Sequence, residues 1–398
     1  MKIGLISHLI RDYNLGCSAL AISNIALMDK MFEYNKVKVE YVVILAEAKE
    51  TIDLKEFTNL DGYTKNSYSY RTYPRLKPVL KNPFLIRKIT VFDDLDYVID
   101  LCGGDGYTDN YGLIRLLAES LPVYICKRKH TATVFAPQTI GPFHTFPGKI
   151  IAKFILNMLD TIFVRDIASM ECCKSLGLEK KSKRVIDVAF ALPYKENILN
   201  NGKFNIGINV SGLLYNGGYN YDNYFKLSFS YRDFIHKLIE MLLSDSKIQI
   251  HLIPHVIEKG EGVDDDYLIC KKIKTQYPNC ILPDDFKTAS EAKSYISGMD
   301  LFTGARMHST IGAISSGVAV IPIAYSRKFN GLYDTLEYPY YIDAKAEITV
   351  DDALKQFSNY LNRIDELKSG VMKAGIIYAR DLEQYTKLLA KVLKIDSK

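Results

Sequence analysis

An α/β fold of two doubly wound parallel sheets follows from three observations. Short β-rich apolar runs alternate with helical patterns along the whole chain. The runs are too many for one open sheet. A polar, turn-rich stretch divides them into two sets. Strand–helix alternation of this kind places helices on both faces of a parallel sheet.

The first set of expected strands covers residues 2–7, 40–45, 97–101, 133–136, 161–164 and 184–187. The second covers 205–210, 248–253, 279–282, 301–303, 318–323 and 340–342. Helical patterns at 18–30, 149–160, 231–244 and 309–316 lie between them. Residues 193–203 lack periodicity and read as the linker. The expected organisation is therefore an N-terminal Rossmann-like domain at 1–195 and a second at 204–375. A terminal helix, 376–398, would cross back to the first. Residues 49–81, rich in Tyr, Thr, Asn and Arg, read as an excursion over the surface.

The 398 residues are 48% hydrophobic and 24% charged, the balance of a globular protein. Lys and Arg number 51 against 46 Asp and Glu, a net charge of +5. That charge is too mild for a nucleic-acid binder, which gathers basic residues on one face. It leaves room for anionic small molecules or an anionic membrane surface. Seven cysteines without repeating spacing form no disulfide framework, which favours a reduced, cytoplasmic location. The N-terminus breaks into polar residues after six positions, too soon for a signal peptide. Residues 307–326 are free of Asp, Glu, Lys and Arg, but with His308 and Pro322 they read as buried helix, turn and strand. No transmembrane segment is expected, and peripheral association, at the inner face of a membrane, stays open.

Polar clusters fall just past the C-terminal ends of the expected strands. Asn14-Leu15-Gly16-Cys17 follows the first, Gly103-Gly104-Asp105-Gly106 the third, Gln138-Thr139-Ile140-Gly141-Pro142 the fourth and Arg165-Asp166 the fifth. Ser211-Gly212, Pro254-His255, Gly304–Ser309 and Arg327-Lys328 do the same in the second half. Ligands of open α/β sheets bind at these strand ends, so two sheets facing across a cleft would pool the clusters. Each also has a plainer reading. Asn14 caps a helix, Gly103 and Gly104 make a turn, Gln138 satisfies backbone groups, and Arg165 forms a strand-end ion pair.

Gly304–Ser309 is the sharpest cluster, because it runs from a strand through a glycine into a helix N-terminus. Such a terminus offers amides and a positive dipole end. Arg306 adds charge, and His308 is suited to proton transfer near neutral pH. Asp264-Asp265-Asp266 contains a DxD string that metal-dependent glycosyltransferases use, but it also reads as a helix cap. No zinc spacing, P-loop or nucleophile elbow occurs, and no metal or cofactor is expected.

Taken in order, these clusters resemble the polysaccharide pyruvyl transferase family, from Asn14-Leu15-Gly16 to residues 324–329. The resemblance implies a GT-B-like fold and transfer of pyruvate from phosphoenolpyruvate, a co-substrate rather than a cofactor, onto a sugar of a cell-surface polysaccharide. The product would be a pyruvyl ketal. It implies Arg306 and His308 as the Arg-x-His element and Arg165 as the arginine following a strand. His308 is then the expected general acid, and Arg165, Arg306, Lys328 and Ser309 the expected donor-binding residues. Asn14, Gly103, Gly104, Asp105, Gln138, Ser211 and His255 are expected to face the acceptor or the cleft. Asp105 stands where family members often have a third glycine. The acceptor, and whether a lipid carries it, stay open. The alternative on the same fold is a glycosyltransferase using a nucleotide sugar.

Overall fold

The structure is a computed structural model that describes residues 1–47, 58–103, 106–258 and 262–395. It is α/β, and the chain divides into two compact units. Unit one holds Met1–Arg11, Leu20–Ala191 and Arg380–Lys398, and unit two holds Asp12–Ala19 and Leu192–Ala379.

Unit one is built on a seven-stranded sheet in the order β3-β2-β1-β4-β5-β6-β7. The strands are β1 (Lys2–Ile6), β2 (Glu40–Ala46), β3 (Ser67–Tyr73), β4 (Tyr97–Asp100), β5 (Ala132–Gln138), β6 (Thr161–Val164) and β7 (Ser182–Arg184). Every pairing is parallel, from Ile3 beside Tyr41 and Tyr97 to Val164 beside Arg184. Buried Ile3, Leu5, Val42, Val98, Ile99 and Val134 form its central strands, as expected where helices cover both faces. Helices Leu113–Arg128, Phe146–Leu156 and Ile167–Ser175 pack Leu116, Val123, Ala152, Ile155 and Cys173 into one cluster with Phe135, Ile162 and Val164. These three helices therefore share one face of the sheet.

Unit two has five parallel strands in the order β12-β11-β10-β8-β9. They are β8 (Phe204–Asn209), β9 (Ile248–Leu252), β10 (Leu301–Gly304), β11 (Ala319–Ala324) and β12 (Ile342–Asp343). Its core joins Ile206, Ile208, Ile250, Leu301 and Ile321 to Phe234, Leu238, Ile269 and Phe357 from the flanking helices. The long helix Ile364–Val392 contributes residues to both units, as does helix Leu15–Tyr34. The latter is long and apolar enough to cross a membrane, but most of it is buried within the fold.

Three local differences from the expected elements have physical reasons. β3 lies inside the stretch read as a surface excursion. It is an edge strand whose sequence, Ser-Tyr-Ser-Tyr-Arg-Thr-Tyr, lacks an apolar run, and only Tyr73 is buried. Residues 279–282 make a single bridge, Ile281 to His251, and Pro283 removes the next backbone donor. β7 ends at Arg184, before the apolar residues that suggested a strand at 184–187. Residues 192–197, which overlap the start of the expected linker, lie along helix Ala289–Ile296. Lys195 and Asn197 amides donate to Ser294 and Ser297 hydroxyls at 2.9 and 3.0 Å, and Lys293 Nζ donates to the Leu192 carbonyl at 2.9 Å.

Candidate active site

The site in unit two begins with Asn209, the last residue of β8. Its Oδ1 accepts the Arg306 amide at 3.0 Å, and its Nδ2 donates to the Ile253 carbonyl at 3.0 Å and to Asp266 at 3.3 Å. Three strand ends are thereby tied together. Gly304 is glycine because a Cβ there would sit 2.6 Å from the Asn209 Cβ.

Asp266 is the hub of this arrangement and is fully buried. Its carboxylate accepts the amides of Gly212 at 2.8 Å and of His255 and Val256 at 3.1 Å. Arg306 completes the coordination with Nε at 3.2 Å from both oxygens and Nη2 at 2.7 Å. Nη2 also donates to the carbonyl and carboxylate of Asp264. Burial works to pull the Arg306 pKa down, and the charges of Asp266 and Asp264 outweigh it, so its pKa lies above the ordinary value. A guanidinium held this way fixes the start of helix Met307–Ile314. Asp265 caps helix Asp266–Gln276 by accepting the Leu268 amide at 3.0 Å. The acidic string is therefore one cap and two partners of Arg306.

His308 lies half-buried in the first turn of helix Met307–Ile314. Its ring lies against the first turn of helix Leu15–Tyr34, where a Cβ on Gly16 would meet His308 Nδ1 at 2.3 Å. Asn14 shapes that turn, its Oδ1 accepting the Gly16 amide at 3.0 Å. The Leu15 amide donates to the His255 carbonyl at 3.0 Å, and Asn14 bridges Val256. Asn14, His255, Arg306 and His308 are thus brought together by contacts within unit two.

The His255 ring is buried, and neither of its nitrogens has a hydrogen-bond partner. Burial, reinforced by His308 and Arg306, pushes its pKa well below the ordinary histidine value. At neutral pH it is an uncharged imidazole that offers one donor and one acceptor. Ser309 and Ser211 are engaged structurally. The Ser309 hydroxyl donates to the Arg306 carbonyl at 2.7 Å, and Ser211 caps helix Gly212–Tyr215. Lys328 is half-buried in the first turn of helix Arg327–Thr335 and has an interaction partner.

Unit one presents a separate group at its own strand ends. Gln138, at the end of β5, is buried with no hydrogen-bond partner for either amide atom. Gly103 takes φ +68°, a conformation favouring glycine, whereas Gly104 and Asp105 lie outside the described residues. Arg165 Nη1 pairs with Asp187 at 2.8 Å and Nε donates to Thr139 at 3.1 Å, both ion-pair partners being buried. The strand-end ion pair read for Arg165 is made with Asp187. Asp166 instead caps helix Ile167–Ser175. Asp100 is buried at the end of β4. Desolvation pushes its pKa up to about 6 despite the Cys102 amide at 2.8 Å.

Among the described residues, no group of three or more His, Cys, Asp or Glu side chains is arranged to hold a metal ion. Asp266 and Asn209 were the residues that sequence reasoning did not single out as organisers. Their signals were the DxD string and the Ile208-Asn209-Val210 run at a strand end.

Comparison with solved structures places the fold in the GT-B class. The UDP-GlcNAc 2-epimerase of Neisseria meningitidis, solved with UDP-GlcNAc, matches with a TM-score of 0.62 at 10% identity, covering 100% of both chains. A trehalose-6-phosphate structure from E. coli, bound with UDP-2-fluoro glucose, matches at 0.57 and 9%, again covering 100% of both. A putative UDP-N-acetylglucosamine 2-epimerase of Listeria monocytogenes matches at 0.59 and 10%, covering 98% of this chain and 95% of that one. Identities this low speak to fold alone. No curated protein matches the sequence. A sequence model of the family described as polysaccharide pyruvyl transferase matches residues 14–327, from the turn against which the His308 ring lies to the start of the helix that carries Lys328. The chain belongs to the polysaccharide pyruvyl transferase family.

Proposed function

We propose that the protein transfers pyruvate from phosphoenolpyruvate to two hydroxyls of a glycan sugar, forming a cyclic ketal and releasing phosphate. The observation that carries this reading is His308, placed at a helix N-terminus beside a second, uncharged imidazole, within a chain of this family. Protonation at the methylene carbon makes C2 electrophilic, one sugar hydroxyl adds to C2 and returns its proton to the acid that gave the first, and phosphate departs as the C2–O bond to it breaks. The second hydroxyl then closes the ring, its proton leaving through solvent or phosphate.

His308 serves as the acid that delivers the first proton. The amides at the start of its helix, with Lys328, face the carboxylate and phosphate of the donor. His255 supplies a hydrogen bond to the same ligand, which would satisfy a ring that has no protein partner. Arg306 acts by position: its charge is already shared by Asp266 and Asp264, and it holds the turn on which His308 sits. Ser309 helps hold that turn. Arg165, Asn14, Gln138, Ser211 and the 103–105 loop remain proposed contacts of donor or acceptor. The reaction as written requires no metal or cofactor.

Isothermal titration with phosphoenolpyruvate and with a panel of nucleotide sugars tests the donor. Binding of phosphoenolpyruvate that weakens in Lys328→Ala supports the proposal. Binding of a nucleotide sugar with none of phosphoenolpyruvate would make the protein a glycosyltransferase instead.

A further inference from the structure

Helix Phe146–Leu156 in unit one buries one small and apolar face and carries a second apolar stripe outward. Gly148, Ala152, Ile155 and Leu156 face the core. On the opposite side Phe146, Ile150 and Phe154 recur every fourth residue, so they stack along one stripe. They are 77%, 54% and 57% exposed. Three large side chains in register are not the scattered surface apolars normal for a globular domain.

The stripe is held in place. Thr145 caps the helix, its Oγ1 accepting the Gly148 amide at 3.0 Å. Asp109 accepts the His144 and Thr145 amides, each at 2.8 Å, and the Thr145 hydroxyl at 2.7 Å. A Cβ on Gly148 would lie 2.3 Å from the Asp109 carboxylate, so glycine lets the helix start close against that group. Phe146 and Pro147 are thereby presented outward on an anchored turn.

The neighbouring helices expose apolar residues at the same end. Helices Leu113–Arg128 and Ile167–Ser175 flank Phe146–Leu156 on the same sheet face, and all three follow parallel strands. Their N-termini consequently lie at the same end of the sheet. Ile114 and Ile167, in the first turns of the two flanking helices, are 79% and 52% exposed. Each of the three helices thus opens with a large exposed apolar side chain.

Charge identifies the occupant. Lys149 and Lys153 are exposed and border the stripe, and the helix carries no carboxylate. Lysines beside an apolar face let the stems cover apolar surface while the ammonium groups reach a headgroup layer. An apolar stripe bordered by cations is the pattern of a helix lying in a membrane interface. Anionic headgroups draw such lysines further.

We propose that the outer face of Phe146–Leu156, with Ile114 and Ile167, docks unit one onto an anionic lipid surface. This docking does not depend on the donor chemistry proposed above, and its test uses no substrate.

The test is flotation of the full chain with vesicles of phosphatidylglycerol in phosphatidylcholine, and with phosphatidylcholine alone. The wild type is expected to float with the anionic vesicles and to lose part of that binding as salt screens the lysines. The triple variant Phe146→Gln/Ile150→Gln/Phe154→Gln should lose more than about tenfold in vesicle affinity, since each buried side chain of this size contributes strongly. Its melting temperature should be retained, because the replaced side chains are exposed. Lys149→Gln/Lys153→Gln should bind anionic vesicles more weakly and without the salt dependence. Absence of wild-type binding, or equal binding by the triple variant, would overturn the proposal. A wild-type dimer that the triple variant converts to monomer would also overturn it, by showing that a second copy covers the stripe.

Discussion

Gly16→Ala separates the chemistry of His308 from the stability of the fold. A Cβ at this position would lie 2.3 Å from His308 Nδ1 and 3.0 Å from Asn14 Oδ1, whereas ordinary contact begins near 3.4 Å. The atom met is part of an imidazole, not the far end of a flexible chain, so the ring must move by about 1 Å. Displacement of a catalytic group by about 1 Å costs on the order of 100-fold in rate. Stability responds to two opposed terms. Overpacking costs about 1–3 kcal/mol, and replacing glycine inside a helix returns about 1 kcal/mol. The net loss should not exceed about 2 kcal/mol, so the variant stays folded. Steady-state kinetics with phosphoenolpyruvate and an accepted glycoside, beside a thermal melt, reads both. The expected pattern is a kcat lower by about 100-fold with a melting temperature lower by no more than about 8 °C. Wild-type kcat in Gly16→Ala would refute the reasoning, because it would show that the His308 ring can move without consequence.

The other expected outcomes concern the groups around that ring and the buried charges. His255→Phe removes two buried, unpartnered nitrogens while keeping a ring, so stability should hold or rise; donor affinity measured by calorimetry should fall, and unchanged affinity would remove His255 from the ligand contacts. Asp266→Ala leaves Arg306 buried with one carboxylate fewer, and breaking a buried pair costs about 3–5 kcal/mol. Urea denaturation should show that loss, and a cost under about 1 kcal/mol would contradict the hub role. Asp100 has a folded pKa of about 6, above its unfolded value. The native state therefore binds more protons between about pH 4 and 6, and the stability linked to that protonation is lost as pH rises through this window. Asp100→Asn should then exceed the wild type by about 3 kcal/mol at pH 7 and match it near pH 4. The difference between the two chains is the useful reading, because buried His8 and His251, both lowered to about 4 chiefly by desolvation, push stability the opposite way with pH. A gap that does not change with pH would contradict the assignment.

Much of the fold was legible because a strand buried on both faces must be written as an apolar run. Thr161–Val164 and Ala319–Ala324 are such strands. β3 was not legible, since an edge strand half covered by its neighbours tolerates Ser, Tyr and Arg. The candidate site was legible in its positions and only partly in its roles. A strand followed by Gly304, Arg306 and His308 already indicates a helix terminus with a cation and an imidazole. That Arg306 is engaged by Asp264 and Asp266 depends on side chains some 40 residues earlier meeting it in space. No local pattern encodes such a meeting. Gly16 shows the same limit: its spacing marks a turn, but only the folded chain shows His308 lying where its Cβ would be.

The central claim, pyruvyl transfer initiated by protonation of phosphoenolpyruvate, is tested most directly by mass spectrometry of the product formed in deuterated water. The purified protein is incubated with phosphoenolpyruvate and a set of galactosides, glucosides and N-acetylhexosaminides. The account predicts one glycoside that gains a ketal-linked pyruvate whose methyl group carries solvent deuterium, and loss of that product in His308→Asn. A ketal without deuterium, or full product formation by His308→Asn, would contradict it.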